Sequence, residues 1–205
     1  MSSASVDARA ALARLYREDH GYESDPLGEA RVVEAGSSPT YGEMLPAATN
    51  HLLRYLQLGP KDVFYDLGSG VGKVILQTAM TVPVASCVGI ELMRSRHRIA
   101  QRLIGRARSE GLLQAADCRA RNSDFMRARL GDATVVYSCS TAFPTDLMMG
   151  LAARLARLPI GLRLVSTQEL EDNDWFSLED VLHLDMSWHR RSKVHAYRLV
   201  RRRWR

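Results

Sequence analysis

Residues 64–74 read FYDLGSGVGKV: an apolar run ending in an acid, then glycines at 68, 70 and 72, then a lysine. A phosphate-binding loop of the G-x-x-x-x-G-K-[ST] type needs glycine where Leu67 stands and a hydroxyl where Val74 stands, so that reading fails at both ends. The dinucleotide fingerprint G-x-G-x-x-G suits a loop between a strand and a helix, but Lys73 holds its third glycine position. The stretch does carry a carboxylate, Asp66, at the close of the strand that feeds the loop.

Outward from this loop, short apolar runs at 63–67, 84–90, 118–122, 134–139 and 162–167 alternate with helical patterns at 72–81, 93–110 and 144–157. Such alternation predicts a parallel sheet of βαβ units. Two further strand-like runs, 181–188 and 194–201, leave no room for a crossover helix and must form an antiparallel hairpin. The expected architecture is therefore a three-layer, Rossmann-like α/β fold with a mostly parallel seven-stranded sheet and a C-terminal hairpin. By fold-level analogy this is the order of class I S-adenosylmethionine (SAM) methyltransferases. Upstream, 5–19 and 41–57 read as N-terminal helices, and 21–39, rich in Gly, Pro and Ser, reads as loop. We divide the chain into a helix and loop extension at 1–39 and one domain at 40–205.

Acids close three successive strands: Asp66, then Glu91, with Asp124 just past the third. Ligands of such sheets bind at the strands' carboxyl ends, so all three face one crevice. A pyrophosphate there meets like charge, at a cost of about 4 kcal/mol per unit pair 4 Å apart at an effective dielectric near 20. A ligand with a sulfonium and an ammonium gains instead, and SAM is one. Glu91 stands about 20 residues past the glycines, where ribose readers are expected, and Asp124 suits the adenine amino group, with Phe125 against the base. Each feature also has a plain structural reading, as a tight turn, a helix-dipole acid or an N-cap.

With 205 residues, 46% of them hydrophobic, the chain suffices for one core. No uncharged apolar run reaches membrane-spanning length and the N-terminus lacks a secretory apolar segment, so we expect a soluble, cytoplasmic protein without membrane attachment. Cys87, Cys118 and Cys139 show no metal-ligand spacing, and no metal is expected. Net charge is +5, with Arg190, Arg191, Lys193, Arg198, Arg201, Arg202, Arg203 and Arg205 crowded at the C-terminus. These suit an acidic partner, or a solvated edge strand and terminus. The 93–110 helix carries Arg94, Arg96, Arg98, Arg102, Arg106 and Arg108 around an apolar stripe and reads as a solvated face.

DLGSGVGKV (66–74), VGIE (88–91), NSDF (122–125) and TYGE (40–43) together resemble the Disruptor-of-telomeric-silencing (Dot) histone lysine methyltransferases, and more closely their short bacterial relatives. The resemblance covers about 40–198. It implies SAM as methyl donor, S-adenosyl-L-homocysteine as product and a lysine amine as acceptor. It assigns cofactor contacts to Tyr41, Gly42 and Glu43 as a lid; to Asp66, Gly68, Ser69, Gly70 and Gly72 around the loop; and to Glu91, Leu92, Ser123, Asp124 and Phe125. Thr40 and Glu43 also stand at capping-box spacing ahead of an apolar helix.

The acceptor half departs from the family. Where the histone enzymes carry Asn-Asn-Phe-Ala-Phe, this chain reads CSTAF at 139–143. Ser187 and Trp188 match a Ser-Trp pair near the acceptor channel, but the channel tyrosine aligns with Ala196, one place before Tyr197, and one step along a strand reverses the side chain's face. Ser140, Thr141, Phe143 and Trp188 are the candidate acceptor-site residues, the aromatics offering a face to a cationic amine. A protein substrate is the first reading. An RNA acceptor, suggested by the basic tail and Trp204, and a SAM-binding partner without catalysis are the alternatives.

Overall fold

The computed structural model describes residues 7–171 and 173–203. Its strands are β1 (Val63–Leu67), β2 (Ser86–Glu91), β3 (Cys118–Asn122), β4 (Val135–Ser138), β5 (Arg163–Ser166), β6 (Phe176–Leu184) and β7 (Ser192–Leu199), and its helices are α1 (Ala8–Leu15), α2 (Pro26–Glu34), α3 (Pro46–Leu56), α4 (Lys73–Thr81), α5 (Arg94–Ser109) and α6 (Thr145–Leu155). They build one seven-stranded sheet in the order β3-β2-β1-β4-β5-β7-β6. The first five strands pair in parallel and β7 runs antiparallel to both β5 and β6. This is the expected three-layer α/β architecture, with the sequence order reversing between β1 and β4, the switch point where such sheets open a crevice.

Alternation along each central strand divides the core. Phe64, Cys87, Val135 and Val165 pack with residues of α1, α3, α4 and α5 on one face, whereas Tyr65, Leu67, Val136 and Leu164 pack with residues of α6 on the other. β2 is buried along its whole length, as fits a parallel strand covered on both sides. Buried Gln77 of α4 donates to Pro46 O and Asn50 Oδ1, both at 2.8 Å, which ties α4 to α3 without leaving its amide unpaired.

Three expectations change. The 21–39 stretch is not all loop: α2 occupies Pro26–Glu34, opened by Asp25, whose Oδ1 accepts from Gly28 N at 2.9 Å, with Pro26 in the first turn. Proline at a helix start is stabilising, since its missing N–H has no intrahelical acceptor there. The Thr40/Glu43 capping box does not form, because α3 begins at Pro46 with no side-chain cap and both side chains bond elsewhere. The C-terminal hairpin begins earlier than 181, and β7 lies inside the sheet with β6 at its edge, so the basic tail does not guard an edge strand. Three of its arginines make contacts within the chain: Arg198 pairs with Glu179, Arg202 Nη2 donates to Arg157 O at 2.9 Å, and Arg203 lies over the Trp175 ring. Trp204 lies outside the described residues. No helix among those described is long and apolar enough to cross a membrane.

Candidate active site

The loop after β1 crosses the end of β2, with Gly68 N and Ser69 N both donating to Ile90 O. Gly68, Gly70 and Gly72 all have positive φ, at 78°, 53° and 82°, conformations that side chains resist. Gly70 has a second reason to be glycine: an added Cβ would stand 2.6 Å from the Tyr41 ring. Backbone and ring therefore touch where the cavity is roofed. Glu91, closing β2, accepts from Gly70 N and from Met93 N, each at 2.8 Å; a carboxylate has lone pairs to spare for a ligand hydroxyl. Asp124 Oδ1 accepts from Met126 N at 2.7 Å and so also caps the turn that follows β3.

Asp66 differs from both. It is 2% exposed, and its Oδ1 has no hydrogen-bond partner among the described residues. Burial, with the Glu91 charge adding to it, raises its carboxyl to about 8. Burial raises Glu91 as well, against the backbone amides and the Arg96 charge that favour its ionised form. A cation placed at Asp66 restores a partner and favours ionisation, so this end of the crevice suits a positively charged ligand.

One cavity gathers most of the candidate residues. Tyr41, Gly42 and Glu43 roof it; Asp66, Gly68, Ser69 and Gly70 form its floor; Glu91, Leu92, Asp124 and Phe125 line one side; Thr141, Phe143 and Trp188 line the other. Gly72, Ser123 and Ser140 are not among the lining residues. Gly72 turns the loop into α4 as its N-cap, and Ser123 donates to Asp124 O. Ser140 is fully buried, its hydroxyl 2.7 Å from Ser166 Oγ and accepting from Gln168 N, which corrects its placement at the acceptor mouth. Thr141 Oγ1 donates instead to Thr167 Oγ1 at the rim. Phe125 and Phe143 stack on one another at 5.5 Å, joining the expected base-packing ring to the expected acceptor ring.

The roof is held from three directions. Tyr41 donates to Glu43 Oε1 at 2.6 Å, and Lys73 Nζ reaches Glu43 Oε2 at 2.7 Å, so the lysine behind the glycines balances a lid carboxylate. Met44 bridges Met186, Glu43 N donates to Ser187 Oγ at 3.0 Å, and Gly42 lies so close under Trp188 that a Cβ would sit 2.3 Å from its ring. Arg96 completes the clamp: Nε donates to Gly21 O, Nη2 to Pro39 O, and the guanidinium lies 4.5 Å over the Tyr41 ring. Arg96 and Lys73 were not legible as site residues, since Arg96 sits in a repetitive arginine pattern and its partners lie more than 50 residues away.

The family profile described as histone methylation protein DOT1 matches residues 28–200. The chain belongs to that family. It is similar to the H3 lysine-79 specific histone-lysine N-methyltransferase of Caenorhabditis elegans, 33% identical over 67% of this chain and 15% of that protein. It is also similar to the enzyme of the same description from Mycosarcoma maydis, 31% identical over 79% of this chain and 21% of that protein. The chain thus spans about a fifth or less of these Dot relatives, which are animal and fungal and do not bear on the bacterial kinship expected. Among solved structures, an RNA methyltransferase from Salinibacter ruber in complex with S-adenosyl-L-homocysteine superposes with a TM-score of 0.61 at 22% identity, covering 75% of this chain and 91% of that one. That likeness speaks to the fold.

Proposed function

We propose that this Dot-family chain is a SAM-dependent methyltransferase acting on a lysine amine of a protein. The observation that carries the reading is the buried, unpartnered Asp66 carboxyl beside Glu91 in a roofed cavity at the sheet's switch point. A cation there gains a carboxylate partner and favours its ionisation, which a diphosphate does not. Bound SAM would supply a methyl group activated by its sulfonium.

The chain's own work is to bind, orient and exclude water. Glu91 offers oxygens to ribose hydroxyls and Asp124 to the adenine amine, with Phe125 against the base. Tyr41, Glu43 and Lys73 close the roof. Phe143 and Trp188, the latter 44% exposed, border the mouth through which an amine enters, and their faces suit a cation. No dedicated base is needed if the amine arrives deprotonated.

A protein acceptor is supported by the relatives' description as histone-lysine methyltransferases, although histones are the substrate of those proteins. The use of Arg198, Arg202 and Arg203 within the chain weakens the nucleic-acid reading. Three free cysteines fit a cytoplasmic setting, and residues 40–205 serve as the methyltransferase domain with 1–39 as its extension. Incubating the chain with labelled SAM and a cell lysate tests the acceptor: label should be lost to protease and survive nuclease. Label that survives protease and is lost to nuclease contradicts a protein substrate, and no label in any fraction favours a binding protein without turnover.

A further inference from the structure

Strand register places three buried oxygens in one row. Asp66 pairs with Gly89 on β2 and with Tyr137 on β4, and directly paired residues share a face. Gly89 has no side chain; Ser69 Oγ occupies the space above it, 2.5 Å from where a Cβ would stand. Across the sheet the row therefore reads Ser69 hydroxyl, Asp66 carboxyl, Tyr137 phenol. All three residues are buried and line the cavity, and Tyr137 is 1% exposed.

Among the described residues, Asp66 Oδ1 and Ser69 Oγ have no hydrogen-bond partner, and Tyr137 Oη has none beyond a weak contact with the neighbouring Cys139 thiol. Buried polar atoms are nearly always paired, and neighbouring groups at the same strand ends obey that rule. Ser138 donates to Leu67 O, and Glu91 accepts from two amides. Three under-partnered oxygens side by side point to a partner from outside the chain.

The same row continues through Val165 to Ala196, the position where the resemblance expects a tyrosine. Tyr197 does not replace it, because its hydroxyl accepts from Leu170 N within the opposite core. The phenol on the cavity side comes from β4 instead. Burial, with Cys139 and Asp66 nearby, keeps Tyr137 well above its ordinary pKa, so its oxygen stays a neutral hydroxyl able to accept a hydrogen bond.

We propose that Tyr137 contacts the cofactor: with Ser69 on the other flank of Asp66, it forms a three-oxygen cradle for the α-ammonium group of SAM. An ammonium has three N–H donors and no acceptor, which matches three oxygens with a carboxylate at the centre. The inference rests on the cavity being a SAM site.

Calorimetric titration of wild type and Tyr137→Phe with SAM, S-adenosyl-L-homocysteine and 5′-methylthioadenosine tests it, since the last ligand has no amino-acid end. The variant should bind the first two about tenfold more weakly and the third unchanged. An unchanged SAM affinity, or equal losses for all three ligands, overturns the cradle while the SAM site stands. A wild-type chain that ignores SAM fells the site reading and the cradle with it.

Discussion

Asp66 is where a single residue's chemistry becomes measurable. Its carboxyl, raised to about 8 by burial and then by Glu91, is neutral in the free protein at pH 7, whereas a bound ammonium needs it ionised. SAM binding at pH 7 should therefore release a proton, seen as a dependence of the calorimetric heat on buffer ionisation enthalpy. Affinity should climb from pH 6 to about 8, then fall as the ligand's amine leaves its ordinary α-amino range. Asp66→Asn should flatten the rising limb. Stability of the free protein carries the opposite sign: a raised folded-state value stabilises fully below the ordinary 3.8, and that contribution is lost as pH climbs through about 8. Glu91, Tyr137 and Cys139 face the same carboxyl, so Asp66→Asn identifies the group responsible.

At the scale of elements, the roof depends on α5 holding a segment far upstream. Arg96 fastens Gly21 and Pro39, the two ends of the stretch containing α2, and stacks on Tyr41. Arg96→Lys keeps the charge but loses the planar fork. It should weaken SAM binding about tenfold with unchanged circular dichroism; unaltered affinity would contradict the clamp. How far such elements could be read from sequence varied for physical reasons. β1 came out with its observed ends because its apolar run stops at a glycine turn, and β3, CRARN with one buried residue, was placed by the alternation of strands and helices and not by its own apolarity. α2 was missed since Pro26 and Gly28 look like breakers unless Asp25 is recognised as the cap they follow. The Thr40/Glu43 spacing misled for a related reason: local capping lost to Glu43's long-range pairing with Lys73. The three strand-end acids were legible from order alone, but Ser140's burial and Arg96's reach depend on pairings dozens of residues apart.

For the molecule as a whole, the central claim is that one rim of the sheet, carrying Asp66, Glu91 and Asp124 under the Tyr41 roof, is a berth for a cationic nucleoside. Family membership sets the expectation of methyl transfer. The most direct measurement is a calorimetric comparison of the full chain with SAM, S-adenosyl-L-homocysteine, nicotinamide dinucleotide and ATP. Saturable binding of the first two with no heat from the others is the predicted result; uptake of a dinucleotide or triphosphate with indifference to SAM would contradict it.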